Sequence, residues 1–204
     1  MREKILEISL EQFSNYGIRA VTMEDIARQA GISKKTIYLE FKDKRELVRE
    51  AFTKLIKGDK TKLKEILDSD DGVIDHLVRT SVMIRYRLSK LNPMVIMEVQ
   101  RYFPDTWEVF ESFRDNVILP DLINVLERGK ELGYFRPEID AKILAYLRIE
   151  QINSAFNPAN FGKHDFNLLE LQVQILDHFL HGIFTEKGRS AYLEKRDSTN
   201  ESKV

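Results

Sequence analysis

Apolar residues recur at helical spacing along nearly the whole chain, and few stretches alternate apolar and polar residues for long enough to make a strand. With only five prolines and nine glycines in 204 residues to interrupt it, this pattern predicts an all-α fold of about nine helices. Leu6, Leu10 and Phe13 mark a first helix that stops at Gly17, a residue suited to a left-handed cap. Thr22, three residues before Asp25, opens a second helix with a capping-box pattern, and Gly31 ends it. Ser33 caps a third over residues 34–41, with Ile37 and Phe41 inward, and Asp43 with Glu46 opens a fourth that runs to near Lys60.

Longer helices follow: Val73 to about Lys90, a short piece to Tyr102, then Pro104 to about Leu132 with a kink at Pro120. Glu138 to Phe156 and Asn167 to Phe184 close the pattern, and the polar stretch from Gly188 is expected to fray. The domains expected are a head over residues 1–58, a larger helical domain over 59–187 and a polar, disordered tail over 188–204. Four helices in so short a head make a small core, which is expected to lean on later parts of the chain.

Charge is unevenly shared. Residues 1–57 hold 12 Lys or Arg against 9 Asp or Glu, so a mildly basic head sits on an acidic remainder, as suits contact with a polyanion. The absence of cysteine removes thiolate catalysis, disulfides and cysteine-ligated metal sites. A P-loop, a GxGxxG turn, a GxSxG elbow and an HExxH helix are all missing from the sequence, which argues against an enzyme, and no cofactor or metal is expected. Of the four histidines, His178 and His181 alone have a spacing that shares a helix face, and Asp177 does not readily join them. Asp70-Asp71 reads as a solvated loop pair. No apolar run reaches membrane-spanning length and no hydrophobic signal core precedes the first helix, so a cytoplasmic protein without membrane contact is expected.

The segment from Thr22 to Leu47, TMEDIARQAGISKKTIYLEFKDKREL, has the marks of a helix-turn-helix: small Ala27 where two helices cross, Gly31 at the turn and Ile37 as apolar anchor. The second helix of such a pair enters the major groove N-terminal end first. Here that end offers Ser33, Lys34, Lys35 and Thr36, with Tyr38 facing outward and Lys44 in the first turn of the next helix. Thr22, Ile26-Ala27, Ala30-Gly31-Ile32-Ser33, Thr36-Ile37-Tyr38, Phe41 and Lys44, with Phe13 and Gly17 upstream, resemble the DNA-binding domain of the TetR family of bacterial transcriptional regulators. The resemblance implies that Thr22, Tyr38 and Lys44 hold the phosphate backbone of double-stranded DNA while Lys34, Lys35 and Thr36 face the groove. Arg19, Arg28, Lys42 and Arg45 are auxiliaries or solvated charges. Leu39-Glu40 departs from the family, which often has an aromatic or His there, and Glu40 sets a negative charge near the groove.

The last helix is apolar on more than one face, so one side suits the chain's own core and another a second copy. The last two helices, with Leu144, Leu147, Leu168, Ile175, Phe179 and Ile183, are therefore the expected seam of a homodimer, and the resemblance implies the same four-helix arrangement. In the middle of the chain His76, Met83, Tyr86, Met97, Trp107 and Phe110 suit an adaptable pocket for a small, largely apolar effector, and equally suit plain core. By analogy with the family the chain is expected to repress transcription until the effector binds. The rival expectation, which Glu40 favours, is a helical sensor or interaction protein that keeps the head fold without reading DNA.

Overall fold

A computed structural model describes residues 1–67, 69, 72–90, 92–157, 160 and 166–201. Asp70-Asp71, Pro158 and His164 lie outside the described residues. The regular structure of the described residues is helical, apart from one isolated antiparallel bridge between Phe135 and Phe184. It divides into two compact units, one formed by Met1–Thr61 with Lys90–Arg114 and the other by Lys62–Ser89 with Asp115–Val204. Neither unit is continuous in sequence.

The first unit holds α1 (Arg2–Tyr16), α2 (Met23–Ala30), α3 (Lys34–Glu40), most of α4 (Lys44–Leu67), α6 (Pro93–Tyr102) and α7 (Pro104–Phe113). Its core gathers Ile5 and Phe13 from α1, Ile26 and Ala27 from α2, Ile37 from α3, and Leu47, Val48 and Ala51 from α4. Val95 and Val99 of α6 complete it, with Trp107 of α7 packed at its edge. The support the small head needs therefore comes from α6 and α7, which begin at Pro93 and Pro104, well beyond α4's buried start at Leu47.

The second unit holds the end of α4, α5 (Val73–Ser89), α8 (Leu119–Glu131), α9 (Ala141–Phe156), α10 (Leu168–Ile183) and α11 (Glu186–Glu201). Leu126, Phe135, Ala145 and Ile183 lie at the centre of its core. The expected tail from Gly188 is instead the body of α11, because it has a buried side that composition hides. Tyr192 and Ala191 pack on the core, and Tyr192 stacks on Phe184 with ring centroids 5.3 Å apart. Gly188 itself is held to glycine by packing: a Cβ there would lie 2.0 Å from the Tyr134 carbonyl oxygen.

The kink expected at Pro120 lies one turn earlier. α7 ends at Phe113, Arg114–Ile118 forms a π-helical turn, and α8 restarts with Pro120 in its first turn. Proline lacks the N–H for the bond back to residue 116 and its ring crowds that carbonyl, so the preceding turn widens to accommodate it. α9 begins at Ala141, three residues later than Glu138, because Asp140 supplies the cap by accepting from the Ile143 N–H at 2.9 Å.

Gly129 in α8 faces Phe135, and a Cβ on it would stand 2.0 Å from the ring's Cδ2 and Cε2 carbons. In an open helix Gly→Ala gains about 1 kcal/mol. Here the overlap with a fully buried ring reverses the sign, and Gly129→Ala is expected to lose about 1–3 kcal/mol. Thermal unfolding checks this, and a variant more stable than the parent would contradict the packing.

Candidate nucleic-acid interface

The two helices of the reading unit are set by their caps. Thr22 opens α2 with both halves of a capping box: its hydroxyl oxygen accepts from the Asp25 N–H at 3.1 Å, and the Asp25 carboxylate accepts from the Thr22 N–H at 3.0 Å. The Thr22 hydroxyl also donates to that carboxylate at 2.6 Å, and these bonds hold the Asp25 carboxyl below the usual carboxylate range. Gly31 ends α2 at φ 70°, ψ 33°, a left-handed conformation that lets its N–H return to the Ala27 and Arg28 carbonyls. Ser33 then caps α3 by accepting from the Thr36 N–H at 3.0 Å, and the two hydroxyls bond each other at 2.8 Å.

With Ile37 and Phe41 buried, α3 turns a polar face outward. Lys34, Lys35 and Tyr38 are exposed on it, one turn or less apart, and Leu39 is 78% exposed beside them. Lys34 pairs with Glu24 of α2 at 3.2 Å, an exposed ion pair worth about 1 kcal/mol or less and readily exchanged for a phosphate. Lys44 is half-buried, its ammonium donating to the Arg19 carbonyl at 3.4 Å; burial pulls its pKa down, while the Glu98 charge opposes that. Of the auxiliaries, Arg45 is committed to Asp105 of α7 at 2.8 Å and Arg28 to Asp25 at 2.5 Å, while Arg19 lies over the Tyr102 ring at 4.8 Å.

Two side chains with no sequence signal of their own organise this surface. Glu98 of α6 is 7% exposed, and its carboxylate accepts from the backbone N–H groups of Ile18 at 2.6 Å and Arg19 at 3.2 Å. It thereby fixes the loop that leads into Thr22. Gly17 precedes that loop at φ 83°, ψ 156°, not the left-handed cap expected but a region that glycine alone occupies comfortably. The second is Arg2 of α1. It donates to the Glu40 carbonyl, pairs with Glu46 and Glu50 of α4, and lies over the Phe41 ring at 4.1 Å. Its Nη1 is also 3.9 Å from the Glu40 carboxylate. The negative charge that departs from the family pattern is thus offset within the head, which weakens the case for a head that has lost DNA.

The remaining expected site residues are distributed as follows. His76, Met83 and Tyr86 belong to the second unit and Met97, Trp107 and Phe110 to the first, where Trp107 and Phe110 stack at 4.9 Å. Tyr86 is 60% exposed, and His76 is buried with its Nε2 3.2 Å from Asp121. In the expected seam, Phe179 and Ile183 are instead core residues of the protomer, since α10 turns them onto α5 and α9. Leu147 is exposed, Leu144, Leu168 and Ile175 are half-buried, and Ile143 and Tyr146 are further exposed apolar residues on α9. Asp177 does reach His181, at 3.6 Å one turn away. Among the described residues no three metal-ligating side chains converge, and no helix is long and apolar enough to cross a membrane.

Residues 5–51, which span α1, the helix-turn-helix and the start of α4, match the bacterial regulatory proteins, tetR family. The uncharacterized HTH-type transcriptional regulator YvaF of Bacillus subtilis is 23% identical over 94% of this chain and 100% of its own length. The HTH-type transcriptional repressor KstR2 of Mycobacterium tuberculosis is 27% identical over 70% of this chain and 73% of its own. Among solved structures, SmeT, the repressor of the Stenotrophomonas maltophilia multidrug efflux pump SmeDEF, superposes with a TM-score of 0.66 at 21% identity, covering 91% of each chain. A protein from Saccharomonospora viridis in complex with choline gives 0.73 at 21% identity, over 91% of this chain and 98% of that one. The matched head, the full-length likeness and the helix-turn-helix geometry agree: residues 5–51 form a DNA-binding head of the TetR family of bacterial regulatory proteins, on a chain that shares the fold of such regulators over nearly its whole length.

Proposed function

We propose that the chain is a transcriptional repressor that binds a palindromic operator as a homodimer and releases it when a small molecule occupies the second unit. The observation that carries this reading is the outer face of α3, where Lys34, Lys35 and Tyr38 stand exposed over a buried Ile37 with Lys44 alongside. A purely structural helix pair has no need of three cations and a phenol on one face. Lysines and phenol donate to phosphates and base edges, and α3 presents them as a major-groove helix does. One head buries too little DNA for high specificity, so two are needed. Ile143, Tyr146 and Leu147 of α9, with Leu168 and Ile175 of α10, are the apolar surface offered to the second copy.

Repression follows the named relatives KstR2 and SmeT. Effector control is supported by solved relatives in complex with choline and with triclosan. The chain passes between the two units inside α4, at Ser89–Lys90 and at Arg114–Asp115 in the π turn, so an effector that prefers one arrangement of the second unit shifts the population of DNA-competent heads.

Lys44→Ala is expected to weaken operator binding by about a hundredfold, one charged hydrogen bond or about tenfold for each of the two half-sites. Because a dimer carries two such lysines, the slope of log affinity against log salt should fall by about 2. Titration of a labelled operator at several salt concentrations reads both. An unchanged slope would remove Lys44 from the phosphate contacts.

A further inference from the structure

Among the described residues, the interior of the second unit holds a positive charge without a counter-ion. Arg148 of α9 is 5% exposed, and among the described residues no carboxylate pairs with it. Its Nη1 is buried without an acceptor, and the neighbour facing the guanidinium is the Phe179 ring of α10, 5.9 Å from Cζ. Burial alone pulls its pKa down to about 10, which leaves it charged at neutral pH. The buried carboxylate of Asp121 meets His76 through Oδ2 at 3.2 Å, and although its Oδ1 is buried without a partner it forms no ion pair with Arg148. Three residues beyond Arg148 on the same helix, the Gln151 Oε1 is also buried without a donor.

A buried cation without a counter-ion is strongly destabilising, and an apolar side chain of similar volume would relieve it. A missing acceptor beside a missing donor, on one helix face, describes the complement of a bound molecule. We propose that Arg148 and Gln151 form the polar end of an effector site in the second unit, and that the effector is a small carboxylate bearing a nearby hydroxyl or amide donor. This rests on reading the chain as a ligand-responsive regulator and replaces the largely apolar effector with an anionic one.

A carboxylate from a second copy of the chain is the other source of the same chemistry. α9 argues against it. Ala141, Ala145, Arg148 and Ile149 face inward, whereas Ile143, Tyr146 and Leu147 face out. A partner seated on the outer face would have to cross the helix to reach Arg148. The Phe179 ring fits the proposal as a flat wall beside the guanidinium, and Gln172 of α10, buried and donating to the Ile152 carbonyl at 3.3 Å, extends the polar lining one turn further.

The test is thermal unfolding of the full-length protein, without DNA, in octanoate and benzoate against the neutral octanamide and benzamide. The carboxylates should raise the melting temperature by about 3 °C or more at ten times their dissociation constant. The amides should not, and Arg148→Met should abolish the shift while leaving the unliganded protein as stable or more so. Gln151→Leu, which keeps the charge, should reduce the shift without removing it, and serves if the first variant fails to fold. Equal shifts from acids and amides, no shift from either acid, or a shift that survives Arg148→Met would overturn the site. So would loss of the dimer in Arg148→Met by light scattering, which would assign the acceptor to the second copy. A carboxylate shift in a protein that enriches no operator would keep this site and remove the repressor reading, whereas an operator without a carboxylate shift would do the reverse.

Discussion

Glu98→Leu is expected to destabilise the first unit by about 3–5 kcal/mol and to abolish operator binding at physiological salt. The carboxylate accepts from two adjacent backbone N–H groups, at Ile18 and Arg19, and Ile18 is fully buried. Each such bond to a charged acceptor contributes about 1.5–3 kcal/mol, and leucine removes both acceptors and leaves the buried Ile18 N–H without a partner. The functional loss follows from position. The loop held by Glu98 runs into Thr22, the cap of α2, and its Arg19 carbonyl accepts from the Lys44 ammonium. Glu98→Gln keeps a carbonyl oxygen in place and should lose about half as much. Denaturant unfolding followed by the fluorescence of Trp107, the one tryptophan and a member of the same unit, reads the effect directly. A Leu variant as stable as the parent would mean that the loop is held by its apolar contacts alone.

Phe135→Ala is expected to cost the second unit about 3–5 kcal/mol, the range for deleting a buried aromatic ring from a core that closes only partly. The ring is fully buried, pairs with Phe184 at 5.7 Å between centroids and fills the space that Gly129 leaves open. The backbone on either side is already committed: the Phe135 N–H donates to the Gly129 carbonyl and the Arg136 N–H to that of Ile183. Collapse into the cavity is therefore restricted. Calorimetry of the full chain checks the prediction, and a loss below about 1 kcal/mol would mean that the neighbouring helices relax into the space.

The head was largely legible in the sequence because its signals are local. Thr22, Gly31, Ser33 and Ile37 each act within four residues, and caps, turn and anchor all lie where spacing put them. What spacing could not show is how distant segments support them. Glu98 and Arg2 look like two more surface charges in a chain rich in them, and only the packing of α6 and α1 against the head gives them their roles. The same blindness affected the last helices. Apolar residues on several faces of α10 signalled more than one contact, yet the pattern does not say which face is core, and Phe179 and Ile183 went inward. The segment after Gly188 reads as frayed because its apolar content is little more than Ala191 and Tyr192, which suffice once Phe184 is there to receive the ring. Arg148 carried no signal either: a lone arginine in a helical pattern is ordinarily a solvated one, and its isolation is a property of the fold.

The function proposed for this chain requires that it read a specific DNA sequence as a dimer. Selection from a random duplex pool with the purified protein, at about 0.1 M salt where non-specific phosphate binding is still weak, tests it most directly. Enrichment is expected of a palindrome whose half-sites lie about 10 base pairs apart centre to centre, or a multiple of that spacing, one for each head. Failure to enrich any sequence, from a protein shown by light scattering to be a dimer, would contradict it.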